Sequence, residues 1–169
     1  MKLNKNLVLV GMMSSGKSTI GRLLAKRLNL RFIDIDSCVE SETNMKIIEI
    51  FKKKGEAAFR DLEEKITLEC LDKINCIIAL GGGGFINNKI RKEVQKKGIS
   101  IWLDWNNKTI INRIRKNKKR PIALKLDNQK LKDLMYKRSK IYSKSDFKIN
   151  CEKMNKLEII NNIIGKINR

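Results

Sequence analysis

One nine-residue segment near the start of the chain constrains the fold more than any other feature of the sequence. Residues 11–19 read GMMSSGKST and fit the pattern GxxxxGK[ST]. They follow an apolar run at residues 6–10 and open an amphipathic pattern at residues 16–28, the strand–loop–helix setting that the pattern requires. A chance glycine turn would not supply both neighbours. The segment therefore predicts a phosphate-binding P-loop within an α/β fold.

Each part of this loop has an expected chemical role. Backbone N–H groups and the positive end of the following helix attract phosphate oxygens. Lys17 is expected to reach the β- and γ-phosphates of ATP, and the Ser18 hydroxyl is expected to ligate Mg2+. The predicted nucleotide-binding residues of the loop are Gly11, Ser14, Ser15, Gly16, Lys17, Ser18 and Thr19.

The rest of the chain continues the alternation of strand and helix patterns. The length of 169 residues with 41% hydrophobic content suits one domain with one core. Amphipathic segments separate short apolar runs, which favours right-handed βαβ units and a parallel sheet covered on both faces, a three-layer αβα fold. The predicted strands are 6–10, 31–34, 76–80, 100–104 and 147–150, and the predicted helices are 16–28, 45–54, 56–73, 88–97, 108–117 and 157–167.

Composition excludes several kinds of protein. The chain has no histidine, which rules out a Ser-His-Asp hydrolase and mixed Cys/His zinc sites, and its four cysteines form no CxxC pair. No apolar run reaches the roughly 18 residues that cross a bilayer, and the charged first residues lead straight into a strand pattern instead of a signal peptide. We expect a cytoplasmic protein without a membrane partner.

The net charge of +20 leaves two interpretations open. A basic surface raises affinity for polyanions such as nucleic acid. Alternatively, the 28 lysines, 25 isoleucines and 17 asparagines share codons rich in A and T, so compositional drift would raise all three together. The lysines are dispersed and not interleaved with aromatic residues. We therefore expect no specific nucleic-acid partner.

Polar and glycine residues follow the second and third predicted strands. Asp34 and Asp36 would lie on the same side of an extended chain at the carboxyl edge of the sheet, where open parallel sheets bind ligands. Such a pair could hold Mg2+ and face an acceptor hydroxyl; alternatively, Asp36 or Ser37 caps the next helix. The glycine run at residues 81–84 would let a ligand approach bare backbone, or would form a flexible turn.

The arginines are few beside the lysines, so each one near a predicted site suggests a planar, two-pronged contact. Each could also be an ordinary surface residue. The stretch 116–130 contains the only proline and little periodicity, which predicts a surface loop. The four candidates are Arg60, Arg113, Arg120 and Arg138.

Six motifs in order along nearly the whole chain resemble those of the shikimate kinase family. They are GKST in the P-loop, FIDID, AFRDLE around Arg60, LGGG, RPI at residues 120–122 and KRSKIY at residues 137–142. The resemblance implies a nucleoside-monophosphate-kinase type of fold with a five-stranded parallel sheet in the order 2-3-1-4-5. It also implies that the γ-phosphoryl group of ATP is transferred to the 3-hydroxyl of shikimate, giving 3-phosphoshikimate and ADP.

The same resemblance implies a role for each matching residue. Asp36 would contact the 3-hydroxyl as base or orienting group and Asp34 would support Mg2+ through water. Arg120 would reach the phosphates from a lid at about 116–130, and Arg113 would lie against adenine. The expected catalytic residues are Asp36, Lys17 and Arg120. The other expected shikimate contacts are the carboxylate clamp Arg60 and Arg138, and the substrate floor Gly81, Gly82 and Gly83.

Several further expectations come with the family. A substrate-binding segment would span about 34–63, with Glu63 as the partner of Arg60 and with Phe51 and Phe59 along the pocket wall, although both could be core residues. Three positions depart from the family pattern: Ser14 for glycine, Gly84 for alanine and Lys156 for proline. We expect a monomer with a single kinase domain spanning residues 1–169.

Two other readings of the sequence compete with this one. A gluconate or nucleoside monophosphate kinase would share the P-loop. However, a gluconate-type enzyme would normally carry a histidine in its substrate region, and an adenylate-type enzyme would not need the Asp34/Asp36 pair followed by the glycine run. The second reading is a basic nucleic-acid-binding protein that keeps a kinase-like core.

Overall fold

Five parallel strands form one sheet in the computed structural model, which describes residues 5–116 and 126–168. The strand order is β2-β3-β1-β4-β5, so the predicted fold class and order are confirmed. The first strand lies at the centre, paired with β3 on one side and β4 on the other. The strands are β1 (Asn6–Val10), β2 (Arg31–Asp34), β3 (Cys76–Ala79), β4 (Gly98–Asp104) and β5 (Phe147–Asn150).

Helices cover both faces of the sheet. The helices are α1 (Lys17–Leu28), α2 (Ile35–Thr43), α3 (Ile47–Leu71), α4 (Asn88–Lys97), α5 (Asn107–Lys116), α6 (Asn128–Tyr142) and α7 (Lys156–Ile167), with a short 3-10 helix at Gly84–Ile86. The patterns missed two of them, α2 and α6. No helix within the described ranges is both long enough and apolar enough to span a membrane.

Alternating residues of the central strand supply two cores, one on each face of the sheet. Val8 and Val10 point into a cluster that includes residues of α3, α4 and α6. Leu7 and Leu9 point into a second cluster with residues of α1 and α7. This period of two buries both faces of β1 under helices, and the parallel pairing brings the carboxyl ends of all five strands to one edge.

The second strand ends at Asp34, its predicted last residue, and a helix follows directly in place of further extended chain. Asp34 is its last residue and also the N-cap of α2, with its carboxylate accepting a hydrogen bond of 3.4 Å from the backbone N–H of Ser37. Asp36 lies in the first helical turn, so the prediction of two carboxylates on one extended strand is wrong. An acidic residue is favourable there because it faces the positive end of the helix. The alternative prediction placed the N-cap of the next helix at Asp36 or Ser37, whereas the N-cap is Asp34, two or three residues earlier.

A glycine divides the third helix where the sequence predicted two helices. Gly55 has φ 80° and ψ 175° inside α3, a conformation available almost only to glycine. The chain bends there, between the segment that packs on α2 and the segment that carries Arg60 and Glu63. Gly55 therefore separates two helical segments, as the sequence predicted, one beside α2 and the other reaching the carboxyl edge of β3.

Candidate active site

The P-loop follows the central strand and holds its lysine against its own backbone. Gly16 takes a left-handed conformation with φ 90° as the N-cap of α1, and Ser14 is left-handed with φ 63°. The Lys17 ammonium group donates hydrogen bonds to the carbonyl oxygens of Gly11 and Met12, both at 2.8 Å. The side chain of Lys17 is nearly buried, so its charge is confined to the loop. Such a confined cation beside a helix N-terminus is suited to phosphate.

A cleft of about 340 Å3 lies beside this loop. Lys17 and Ser18 line one part of it, and Asp34 and Asp36 line another. The end of β2 and the start of α2 therefore place two carboxylates opposite the phosphate loop, although Asp36 is helical. A hydroxyl, two carboxylates and phosphate oxygens are hard oxygen ligands of the kind that Mg2+ prefers, so this donor set fits the ion.

The glycine run at residues 81–84 forms the neighbouring wall. Side chains from other elements fill the space where Cβ atoms of this run would lie. A Cβ atom at Gly81 would overlap Glu63 Oε1 and lie 2.8 Å from Asp36 Oδ1. A Cβ atom at Gly83 would lie 2.5 Å from Arg60 Nη1. Gly84 has room for a methyl group, since its nearest neighbour would be 3.5 Å away. A side chain at Gly81 would therefore displace Glu63 and Asp36, and one at Gly83 would displace Arg60, whereas Gly84 is a permissive position.

Arg60 lies between two glutamates on its own helix. Its guanidinium contacts Glu63 Oε2 at 2.6 Å and Glu56 Oε1 at 3.1 Å, and it lies over the Phe59 ring. Phe59 in turn packs on Phe51 at 4.7 Å between ring centroids. These contacts confirm Glu63 as the partner of Arg60, and they hold the guanidinium against the glycine wall.

Glu63 is a buried carboxylate at the centre of this arrangement. It is 2% exposed, and its Oε1 has no hydrogen-bond partner among the described residues. Burial raises the pKa of Glu63 above its ordinary value of 4.5; the charge and hydrogen bond of Arg60 offset this only in part, and the charge of Asp36 adds to the rise. Two carboxylates of like charge thus meet beside Gly81.

Arg138 and Tyr142 of α6 reach the same wall from the other side. Arg138 Nη1 donates to the Gly82 carbonyl at 3.2 Å, and the Tyr142 hydroxyl donates to the same oxygen. Burial raises the pKa of Tyr142 to about 12, so the phenol stays protonated and acts as a donor. Only its place in the KRSKIY motif pointed to Tyr142 in the sequence.

A tryptophan that the sequence reading did not select lies at the opposite end of the P-loop. Trp105 Nε1 donates to the Ser15 carbonyl at 2.9 Å, and the Arg113 guanidinium stacks 3.7 Å from the centroid of its ring. Arg113 also lines the 340 Å3 cleft. The only hint in the sequence was the position of Trp105 directly after the carboxyl end of β4.

Most of the predicted site residues meet at this carboxyl edge. Arg120 and most of the predicted lid at 116–130 lie outside the described residues, so both stay predictions. The last residues of that stretch, from Asn128, belong to α6 and not to a loop. Ser15 is buried with its hydroxyl toward Lys17, and Ser14 Oγ is buried without a hydrogen-bond partner in the described parts of the chain.

Comparison with known proteins identifies the family. The model of the shikimate kinase family matches residues 13–168. The chain belongs to the shikimate kinase family. A shikimate kinase of Persephonella marina is 40% identical over 163 residues, covering 96% of this chain and 99% of its relative.

Solved structures of the shikimate kinase family share the fold over almost the whole chain. A shikimate kinase from Acinetobacter baumannii in complex with shikimate superposes with a TM-score of 0.92 at 30% identity, covering 98% of this chain and 94% of the other. The enzyme from Aquifex aeolicus gives a TM-score of 0.85 at 33% identity, with 96% of each chain covered.

The raised pKa of Glu63 predicts a pH dependence of stability. Between pH 4.5 and the raised value, the folded protein retains a proton on Glu63 that the unfolded chain has lost, so this group lowers the free energy of unfolding as pH rises. Glu63→Gln cannot titrate. The melting temperature of the variant minus that of the parent should therefore become more positive between pH 4 and pH 7.

The adjacent Glu64→Gln is a matched control with the opposite sign. Hydrogen bonds from Lys89 and Asn87 lower the pKa of the half-buried Glu64, so its ionised form stabilises the fold above its ordinary pKa. The corresponding difference in melting temperature should become more negative as pH rises. A difference for Glu63→Gln that also falls with pH would show that the ion pair with Arg60 outweighs burial.

Proposed function

We propose that this chain transfers the γ-phosphoryl group of ATP to the 3-hydroxyl of shikimate, releasing 3-phosphoshikimate and ADP, in the biosynthesis of chorismate and the aromatic amino acids. Shikimate kinases use ATP with Mg2+, and the chain belongs to that family. The observation that carries the proposal is that Lys17 of the P-loop, Asp36 and Gly82 line the same cleft. It offers one cation to phosphate and one carboxylate to an acceptor hydroxyl.

The phosphate side of the cleft stabilises negative charge. Lys17 would exchange its contacts with the carbonyls of Gly11 and Met12 for β- and γ-phosphate oxygens, while the loop N–H groups bind the rest of the phosphate chain. Ser18 and Asp34 would hold Mg2+, Ser18 directly and Asp34 through water. The ion supplies charge neutralisation during transfer. Arg120 would add a further positive charge from the lid.

The acceptor side positions the hydroxyl. Asp36 would accept or orient the proton of the 3-hydroxyl, since the chain has no histidine to do so. Arg60 and Arg138 would clamp the shikimate carboxylate with two-pronged hydrogen bonds. Both guanidinium groups already lie against the wall of Gly81, Gly82 and Gly83, held by Glu63 and by the Gly82 carbonyl. Substrate binding would therefore cost little side-chain entropy at Arg60 and Arg138.

The proposal also covers the organisation and setting of the enzyme. One kinase domain would combine the P-loop at residues 11–19, the substrate-binding segment at about 34–63 and the lid at about 116–130. Closure of such a lid excludes water and prevents hydrolysis of ATP. We expect the enzyme to act as a cytoplasmic monomer without a specific nucleic-acid partner, its basic surface being solvated.

A coupled ADP-release assay on a panel of acceptors tests the proposed substrate. With Mg2+ and ATP, shikimate should support turnover, whereas quinate, gluconate and AMP should give only the rate of ATP hydrolysis without acceptor. The panel separates a shikimate kinase from other P-loop kinases that share the fold. Turnover with gluconate or AMP and none with shikimate would refute the proposal.

The two aspartates should fail in different ways. Asp36→Asn keeps the size of the side chain but removes the charge that receives or orients the proton, so kcat should fall by roughly two to four orders of magnitude. Asp34→Asn should instead raise the Mg2+ concentration that gives half-maximal rate, and excess Mg2+ should partly restore the rate. Kinetics at varied Mg2+ measure both effects.

Each variant serves as the control for the other, because the two residues lie on the same cleft two positions apart. ATP and shikimate should still bind to Asp36→Asn in equilibrium titrations. An Asp36→Asn enzyme with turnover within about threefold of the parent would remove Asp36 from the role of base, and positioning with electrostatics would have to account for the reaction.

A further inference from the structure

Trp105 connects the P-loop to Arg113. Its Nε1–H donates to the Ser15 carbonyl at 2.9 Å, and one face of its ring lies 3.7 Å from the Arg113 guanidinium carbon. The two contacts use different parts of the same side chain: the polar edge binds the loop and the π face binds the cation. Both Trp105 and Arg113 are half-buried, so the pair lies at the boundary between the interior and the cleft.

Hydrogen bonds at the carboxyl edge of the sheet fix the segment that carries Trp105 and Arg113. Trp105 follows β4, and Arg113 comes two turns later on α5. Glu152, which follows β5, accepts hydrogen bonds from the Asn106 backbone N–H at 3.3 Å and from the Thr109 hydroxyl at 3.0 Å. The start of α5 is therefore tied to the chain after β5. Arg113 therefore projects from a helix whose first turn is fixed, and the Trp105 ring stacks on its guanidinium.

We propose that Trp105 is a positioning residue for nucleotide binding, which acts by holding the Arg113 guanidinium flat so that its opposite face stacks on the base of ATP. The inference rests on the proposed function, since it assigns the nucleotide to this cleft. A guanidinium loses much rotational freedom when it stacks, and Trp105 imposes that loss before the nucleotide arrives. The hydrogen bond from Nε1–H to the Ser15 carbonyl fixes the position of the stacked pair relative to the P-loop.

A simpler role for Trp105 is filling space. Its ring packs against both hydrophobic clusters of the fold, so replacing it with a small residue would disturb the core whatever its role toward Arg113. The experiment must therefore separate the stack from the packing. Two replacements do this: Trp105→Phe and Trp105→Leu both lose the Nε1–H, but only the phenylalanine keeps an aromatic face for Arg113.

The test is a double-mutant cycle on ADP affinity, measured by isothermal titration calorimetry with Mg2+. With Arg113 present, Trp105→Leu should bind ADP roughly three- to tenfold more weakly than Trp105→Phe, the range of an exposed or partly buried cation–π contact. In the Arg113→Ala background, the two replacements should bind ADP equally. The KM for shikimate should be unchanged in all of them, because the acceptor site lies on the other side of the P-loop.

The ADP cycle tests the role of Trp105, and the shikimate assay tests the proposed function, so the two can fail independently. If leucine and phenylalanine give equal ADP affinity with Arg113 present, or differ just as much without it, Trp105 only fills space. Melting temperatures identify any variant whose weaker binding reflects partial unfolding. Failure of the parent to phosphorylate shikimate would overturn the proposed acceptor but leave the result of the ADP cycle intact.

Discussion

The central position of β1 in a parallel sheet determines where the candidate active site lies. Parallel strands bring their carboxyl ends to one edge, so the loop after β1 has the ends of β2 and β3 on one side and the ends of β4 and β5 on the other. The acidic pair and the glycine wall occupy the first side. Trp105 and Arg113 occupy the second. Strand order thus separates the half of the cleft that we propose binds the acceptor from the half that we propose binds the nucleotide, with the P-loop between them.

Electrostatics on the acceptor side depends on one buried carboxylate. Glu63 holds Arg60 by a 2.6 Å ion pair and reaches the space beside Gly81 where Asp36 also lies. Burying the Glu63 carboxylate is costly, and its ion pair fixes the Arg60 guanidinium beside the glycine wall, where we propose that shikimate binds. The same crowding explains the glycines, because any side chain at Gly81 or Gly83 would meet these charged groups.

The sequence predicted the sheet well because short apolar runs alternate with longer amphipathic segments, and the bounds of β1, β2 and β5 agree with the structure. It missed α2 because Asp34 both ends a strand and caps a helix, so the FIDID motif was read as extended throughout. It missed α6 because that helix is rich in lysine and begins within the stretch predicted as a loop. Trp105 could not be found from spacing, since its role depends on a contact with Ser15, 90 residues away.

Proximity of the two substrates is the central claim, and paramagnetic relaxation measures it directly. Mn2+ replaces Mg2+ in a complex of the enzyme with ADP and shikimate, and the relaxation of the shikimate protons is followed by NMR. We expect enhanced relaxation that is larger for the proton on carbon 3 than for the methylene protons beside the carboxylate-bearing carbon. Relaxation no faster than in the absence of enzyme, or a reversed order of the two positions, would contradict it.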